Sequence, residues 1–241
     1  GVPSNRKTEE AIREIVEGFI NDPLVRGFGP TLMAEKIEQM KDIRLSKETV
    51  RKMMIEAGVW KSKVKKKIEP HYARPRRKHR GELVQIDGSE HAWLEDRGPK
   101  ATLLVFVDDA TSQMLEAEFV PEESFFSYGN LCQRYFREHG LPKAFYSDRF
   151  SVFRVNRRDN LRYEPVTQFQ RALSVLDIEL ICANSPQAKG RVERANQTLQ
   201  DRLIKEMRLL GINDYEQANA FLPQFIRDYN HRFAVSPASS L

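Results

Sequence analysis

The sequence predicts an α/β fold, a mixed five-stranded sheet flanked by helices and preceded by a small all-α unit. Three observations predict it. After residue 81, three runs rich in β-branched and aromatic residues follow one another, and only then do strand-like runs alternate with helical ones. Before residue 60 the apolar residues recur at helical spacing. Between the two parts, residues 60–80 carry ten basic side chains against a single acid, Glu69.

Within the front part, "TEEAIREIVEGFIND" repeats Ile12, Ile15, Val16, Phe19 and Ile20 as one helical stripe. Next, "GPTLMAEKIEQMK" starts a helix at Pro30 and places Leu32, Met33, Ile37 and Met40 on one face. The third helix has Ser46 as N-cap, Glu48 in its first turn, Val50, Met53, Met54 and Ala57 as its buried stripe, and Gly58 as its stop. Three short helices with a tight break before the last predict a helix-turn-helix DNA-binding domain over residues 1–60. Its third helix would present Lys47, Arg51 and Lys52 to a major groove. Residues 61–80, broken by Pro70 and Pro75, are expected to form a basic linker that tracks DNA through Lys65, Lys66, Lys67, Arg76 and Arg77.

Charge supports that division. Residues 1–80 hold 20 Lys and Arg against 11 Asp and Glu, and the remainder holds 19 against 23. The net charge of +5 therefore hides a basic front, whose natural partner is a polyanion and first of all double-stranded DNA. With 40% hydrophobic residues and no apolar run long enough for a bilayer, no membrane partner is expected. Cys132 and Cys182 sit in apolar surroundings and are expected as buried, reduced thiols of a cytoplasmic protein, with neither a disulfide framework nor a zinc cluster. The chain opens at Gly1 without a signal peptide and stops at "SPASSL", which reads as a piece of something longer.

Over residues 81–241, "ELVQIDGSEHAWL", "ATLLVFVDDATS" and "MLEAEFV" predict an antiparallel meander, with "EDRGPK" as the first turn. The helix "SFFSYGNLCQRYFREHG", the strand "AFYSD", the helix "TQFQRALSVLD" and the strand "IELICA" come next, then two helices, the last interrupted by Pro223. In this order, βββαβαβαα, Asp87 follows the first strand segment, Asp148 ends the fourth, and Glu193 opens the helix after the fifth. If the first strand is central and the fourth lies parallel beside it, the three carboxylates converge. Such a cluster needs cations, and hard oxygen ligands at that density suit Mg²⁺ or Mn²⁺. Asp108 and Asp109 read as turn residues, Trp93 as packing, and Glu90, His91, Lys143 and Arg149 as surface.

The segments "VQIDGSEHAWL", "LLVFVDDATS", "AFYSDRFSVFRVN" and "ANSPQAKGRVERANQTLQDRL" resemble the core of DDE transposases with a ribonuclease H-like, retroviral-integrase-type fold, and most closely the bacterial insertion-sequence transposases of the ISNCY group. The resemblance extends from about Gly29 to the terminal "DYNHRF". It implies a catalytic, metal-binding triad of Asp87, Asp148 and Glu193 over an integrase core at 81–241. Element-end DNA would be cleaved by water and its 3′-hydroxyl joined to target DNA, with two Mg²⁺ or Mn²⁺ ions once DNA is bound. It also implies a bacterial, nucleoid-associated setting and a homo-oligomer, since two ends are joined together.

Around Glu193, the residues Lys189, Arg191, Arg194 and Gln197 are expected to hold DNA, with Asn196 and Gln200 continuing the polar surface. Val192, Ala195, Leu199, Leu203 and Met207 would keep the opposite face of that helix in the core. The sequence departs from the retroviral pattern in the 44 residues between Asp148 and Glu193, a longer spacing whose excess falls in "RVNRRDNLRYEP". The retroviral zinc-binding front domain is also absent from the sequence. Two other readings stand beside this one: a non-catalytic helix-turn-helix regulator or inactive remnant, and a nuclease that cuts without joining.

Overall fold

Val84–His91 form β1, the middle strand of a five-stranded sheet, in a computed structural model that describes residues 10–61, 75–148, 152, 166–182 and 190–239. The residues group into two units, Gly1–Glu69 with Arg208–Leu210, and Pro70–Met207 with Gly211–Leu241.

In the first unit, α1 (Glu10–Ile20), α2 (Pro30–Lys41) and α3 (Lys47–Glu56) surround a core of Val16, Phe19, Ile20, Leu32, Met33, Ile37, Val50, Met53 and Met54. Pro30 is well placed in a first helical turn, where a missing N–H costs nothing. Ser46 caps α3 by accepting a hydrogen bond from the Thr49 amide at 3.1 Å. Two positions of the expected stripes stay exposed, Ile15 at 48% and Met40 at 52%. Met40 lies in the last turn of α2, just before Asp42 turns the chain away with φ of 55°.

In the second unit, β2 (Ala101–Asp108) and β3 (Met114–Val120) complete an antiparallel meander with β1. β4 (Ala144–Ser147) runs parallel to β1, and β5 (Glu179–Cys182) runs parallel to β4, giving the order β3-β2-β1-β4-β5. Every residue of β2 is buried, which explains why it reads as a continuous apolar run instead of an alternating one. Helices cover both faces. Against α4 (Phe125–His139) and α5 (Gln168–Val175) pack Val84, Ile86, Leu104, Phe106 and Phe145. Against α6 (Gly190–Leu209) and α7 (Tyr215–Phe233) pack Leu103, Val105, Val107 and Phe119. The five α6 positions expected to face the core are all buried.

Two asparagines of α7 hold the edge strand β3. Asn219 accepts from the Phe119 amide at 2.8 Å and donates to its carbonyl at 3.0 Å. Asn230 does the same to Met114, at 2.8 Å in each direction. The spacings match: eleven helical residues and five strand residues each advance about 16.5 Å. A register shift between Phe106 and Val107 changes the parity of the ladder, so that Met114 and Phe119, five residues apart, both turn their backbone groups outward. Pro223 does not interrupt α7, contrary to the sequence expectation. It sits on the exposed side, while Leu222, Phe225 and Tyr229 hold the helix against the sheet through the lost hydrogen bond.

Candidate active site

β1 and β4 pair with Val84 opposite Phe145 and Gln85 opposite Tyr146. Continued two residues, that register sets Asp87 beside Asp148, the residue after the end of β4. Neighbouring strands lie about 4.8 Å apart, and residues two apart share a face. Both aspartates therefore belong to the face marked by Gln85 and Tyr146. The buried Tyr128 hydroxyl registers both of them: burial first, then Glu123, Asp87 and Asp148, push its pKa well above the ordinary tyrosine value.

Helix α6 is laid along β1 by three contacts. The Val192 amide donates to Gln85 Oε1 at 3.1 Å, Asn196 Nδ2 donates to Asp87 Oδ2 at 2.7 Å, and Gln200 Nε2 donates to Ser89 Oγ at 3.4 Å. Four helical residues advance about 6 Å and two strand residues about 6.6 Å, so the elements stay in step. Glu193, Asn196 and Gln200 follow one another at i, i+3 and i+7, a single helix face. Half-buried Glu193 thus lies on the stripe that meets β1, at a level between Gln85 and Asp87.

Beneath this stripe, Asp109 ties three segments together. Its Oδ1 accepts from Gln85 Nε2 at 2.8 Å and lies 3.3 Å from Arg191 Nε, while its Oδ2 accepts from the Arg77 amide at 2.8 Å. Arg76 Nη1 donates to the Ala110 carbonyl at 3.1 Å and to Ser112 Oγ at 2.8 Å. Asp108 is the turn residue anticipated, accepting from the Gly81 amide at 2.9 Å, the Thr111 amide at 2.8 Å and the Thr111 hydroxyl at 2.7 Å. Asp109 does more than a turn residue, because Gln85 and Arg191 reach it from distant parts of the chain.

The residues expected at DNA are distributed unevenly. Lys47 and Lys52 are exposed on α3, whereas Arg51 is engaged by Glu48 of the same helix, with 2.9 Å between Nε and Oε2. Arg194 and Gln197 are exposed on α6, but Arg191 has a side chain only 11% exposed and turns to Asp109. Arg76 and Arg77 are held by the β2–β3 turn. Lys65, Lys66, Lys67, Lys189 and Arg149 lie outside the described residues, as does nearly all of 149–165. Trp93 packs in the core, donating from Nε1 to the Ser89 carbonyl at 2.9 Å.

Sequence reasoning missed Gln85, Glu123 and the bond from Asn196 to Asp87. An apolar–polar alternation through "VQIDGS" places Gln85 and Asp87 on one face, but nothing in "PEES" marks Glu123 as a neighbour of β1.

The donor set around Asp87 fits a hard divalent cation. Asp87, Asp148 and Glu193 offer carboxylate oxygens, and Asn196 Oδ1 is buried with no hydrogen-bond partner among the described residues. Those three carboxylates do not form a set of ligand atoms within 4.8 Å of one another; among the described residues Glu116, Glu138 and His139 do. That second set is already in contact with cations, Arg134 with Glu116 at 3.4 Å and Arg80 with His139 Nδ1 at 3.2 Å, which disfavours a metal there.

A central strand with one aspartate, a parallel neighbour with the second, and a helix laid across them make up a ribonuclease H-like integrase catalytic core. The integrase core domain family matches residues 175–233. A chain of the simian T-cell lymphotropic virus intasome, in complex with the PP2A regulatory subunit B56 gamma, shares the fold with a TM-score of 0.54 at 16% identity, over 81% of this chain and 68% of that one. Closer relatives are bacterial. The chain is 50% identical over 240 residues to y4bF of Sinorhizobium fredii, a protein described as a transposase, covering 100% of this chain and 52% of that protein. It is 34% identical over 233 residues to the transposase for insertion sequence IS1202 of Streptococcus pneumoniae, covering 95% of this chain and 43% of that one. The chain is a homologue of insertion-sequence transposases and carries their integrase core. It spans about half the length of these relatives. Among the described residues, no helix is long and apolar enough to cross a membrane.

Proposed function

We propose that the protein is a DDE transposase that cleaves the end of a DNA element and joins its 3′-hydroxyl to target DNA. What supports this reading is the register of β1 with β4, which continued two residues sets Asp87 beside Asp148, together with the bond from Asn196 of α6 to Asp87 on the helix face that bears Glu193. All three would hold divalent magnesium or manganese. Such ions, when bound, make an attacking hydroxyl more acidic and offset charge on the transferring phosphoryl group. The chain's own residues set the geometry. Asn196 fixes one oxygen of Asp87. Gln85 fixes the height of the helix start, and with it Glu193. No side-chain nucleophile is needed, because water and then the DNA 3′-hydroxyl attack phosphorus in line.

In this reading residues 1–60 are a helix-turn-helix domain that recognises element ends through Lys47 and Lys52 on α3. The basic segment 61–80 follows the phosphate backbone, and Arg194 and Gln197 hold DNA beside the triad. Arg191 supports the helix start through Asp109. The active form is a homo-oligomer, as joining two ends together requires.

Strand transfer by the full chain, with labelled element-end DNA and Mn²⁺ or Mg²⁺, tests this directly. Glu193→Gln should abolish joined product, a fall on the order of a thousandfold for several kcal/mol of lost transition-state stabilisation, while end binding persists. Cutting without joining in the wild type would favour the nuclease, and binding without any chemistry would favour the regulator.

A further inference from the structure

Asp109 is fully buried, and its carboxylate sits where β1, the basic segment and the first turn of α6 meet. A buried carboxylate is costly unless hydrogen-bond donors and a cation surround it. It can only accept hydrogen bonds, so the Arg191 guanidinium, the Arg77 amide and the NH₂ end of Gln85 are the groups that face it. The Gln85 amide is oriented as a result. With Nε2 on Asp109 Oδ1 at 2.8 Å, Oε1 points the other way and accepts from the Val192 amide at 3.1 Å. A flipped amide would set its NH₂ against the Val192 N–H, donor against donor.

The Val192 amide is among the first N–H groups of α6, which have no partner inside the helix. Gln85 supplies that partner, and Arg191 ties the same turn to Asp109 with a side chain only 11% exposed. Negative charge near a helix N-terminus is favoured by the helix dipole as well. Two consecutive residues of the opening turn, Arg191 and Val192, are therefore held through one carboxylate, and Glu193 is the next residue. The turn after β2 does not require this arrangement. Asp108 closes it through the Thr111 amide and hydroxyl, which leaves Asp109 to segments far away in the chain.

We propose that Asp109 is a positioning residue for the metal site: through Gln85 and Arg191 it fixes the first turn of α6, and with it the carboxylate of Glu193. The proposal rests on the reading of Glu193 as a metal ligand. Partners outside the ligand set contribute about 10- to 100-fold to metal affinity. Asp109 acts through the helix turn and not on Glu193 itself, which places its effect at the lower end.

Mn²⁺ titration of the full chain without DNA, read by the electron paramagnetic resonance of free Mn²⁺, tests it in a double-mutant cycle. Asp109→Asn, which keeps the shape and removes the charge, should weaken Mn²⁺ binding about 10-fold. In a Glu193→Gln background the same change should weaken it no further, because the ligand that Asp109 positions is already lost. Hydrogen exchange at the Val192 amide should rise in Asp109→Asn. Arg191→Gln should weaken Mn²⁺ binding in the same direction, and Arg191→Lys, which keeps the cation, should retain most of it. Equal weakening by Asp109→Asn in both backgrounds overturns the positioning role and leaves the triad standing. So does unchanged affinity in Asp109→Asn alongside weakened binding in Glu193→Gln. Unchanged affinity in Glu193→Gln overturns the reading of Glu193 as a ligand, and this proposal with it. Where Asp109→Asn melts too low to titrate, Arg191→Gln, at a half-buried position, carries the same cycle.

Discussion

Gln85 uses both ends of its amide inside the protein, one on the Val192 amide and the other on Asp109. Gln85→Leu would keep the volume and remove both bonds. A buried donor or acceptor left without a partner costs about 1–3 kcal/mol, so the variant should melt several degrees lower, as circular dichroism would show. Cys132 supports a second prediction. Burial pushes its thiol up to about 12, which leaves on the order of one molecule in ten thousand as thiolate at pH 8. Iodoacetamide at that pH should label Cys132 only after urea is added, with mass spectrometry as the check. At this scale the sequence was readable where a residue obeys a period, as Asp87 and Val192 do. It was not readable where a side chain crosses between segments, as with Gln85 on Val192 or Arg191 on Asp109. Cys182, expected to be buried, is only half-buried because it ends β5, the last strand of the sheet.

The elements themselves followed from local pattern. Runs of β-branched and aromatic residues marked the meander, and the apolar stripe of α6 appeared at each of the positions expected. Pro223 misled because propensity describes an isolated helix, whereas α7 is held on both sides of the proline by tertiary burial. The asparagines of α7 were equally invisible, since their partners are backbone groups 100 and 116 residues earlier, in β3. Their contribution is testable. Asn219→Ala or Asn230→Ala would each leave an outward N–H and C=O of β3 without its side-chain partner, at about 1–3 kcal/mol, and chemical denaturation midpoints should fall for both. Hydrogen exchange should rise at the Phe119 amide in the first variant and at the Met114 amide in the second.

For the whole molecule, one effect of pH runs through Glu116. Burial holds its carboxyl above the ordinary range, with Arg134 opposing and Glu138 and Glu118 adding to the rise. An acid with a raised folded pKa binds its proton more tightly in the folded state. Its stabilising effect is therefore fully present below the ordinary glutamate pKa and is lost as pH rises through the raised one. Glu116→Gln removes that ionisation. Its melting temperature relative to wild type should move in the variant's favour as pH rises from the ordinary glutamate pKa, about 4.3, through the raised one.

The front-to-back charge asymmetry was legible from composition alone, while the place where basic segment and core join was not. The sequence put that boundary near residue 80, yet Arg76 and Arg77 are fastened to Ser112, Ala110 and Asp109, and the Lys78 carbonyl accepts from the Ser239 amide at 3.1 Å. Anyone excising the integrase core for crystallisation should accordingly cut before Pro75. A piece opening at Gly81 would lack the strap that steadies Asp109, and the start of the Glu193 helix would rest on Gln85 and Arg191 alone.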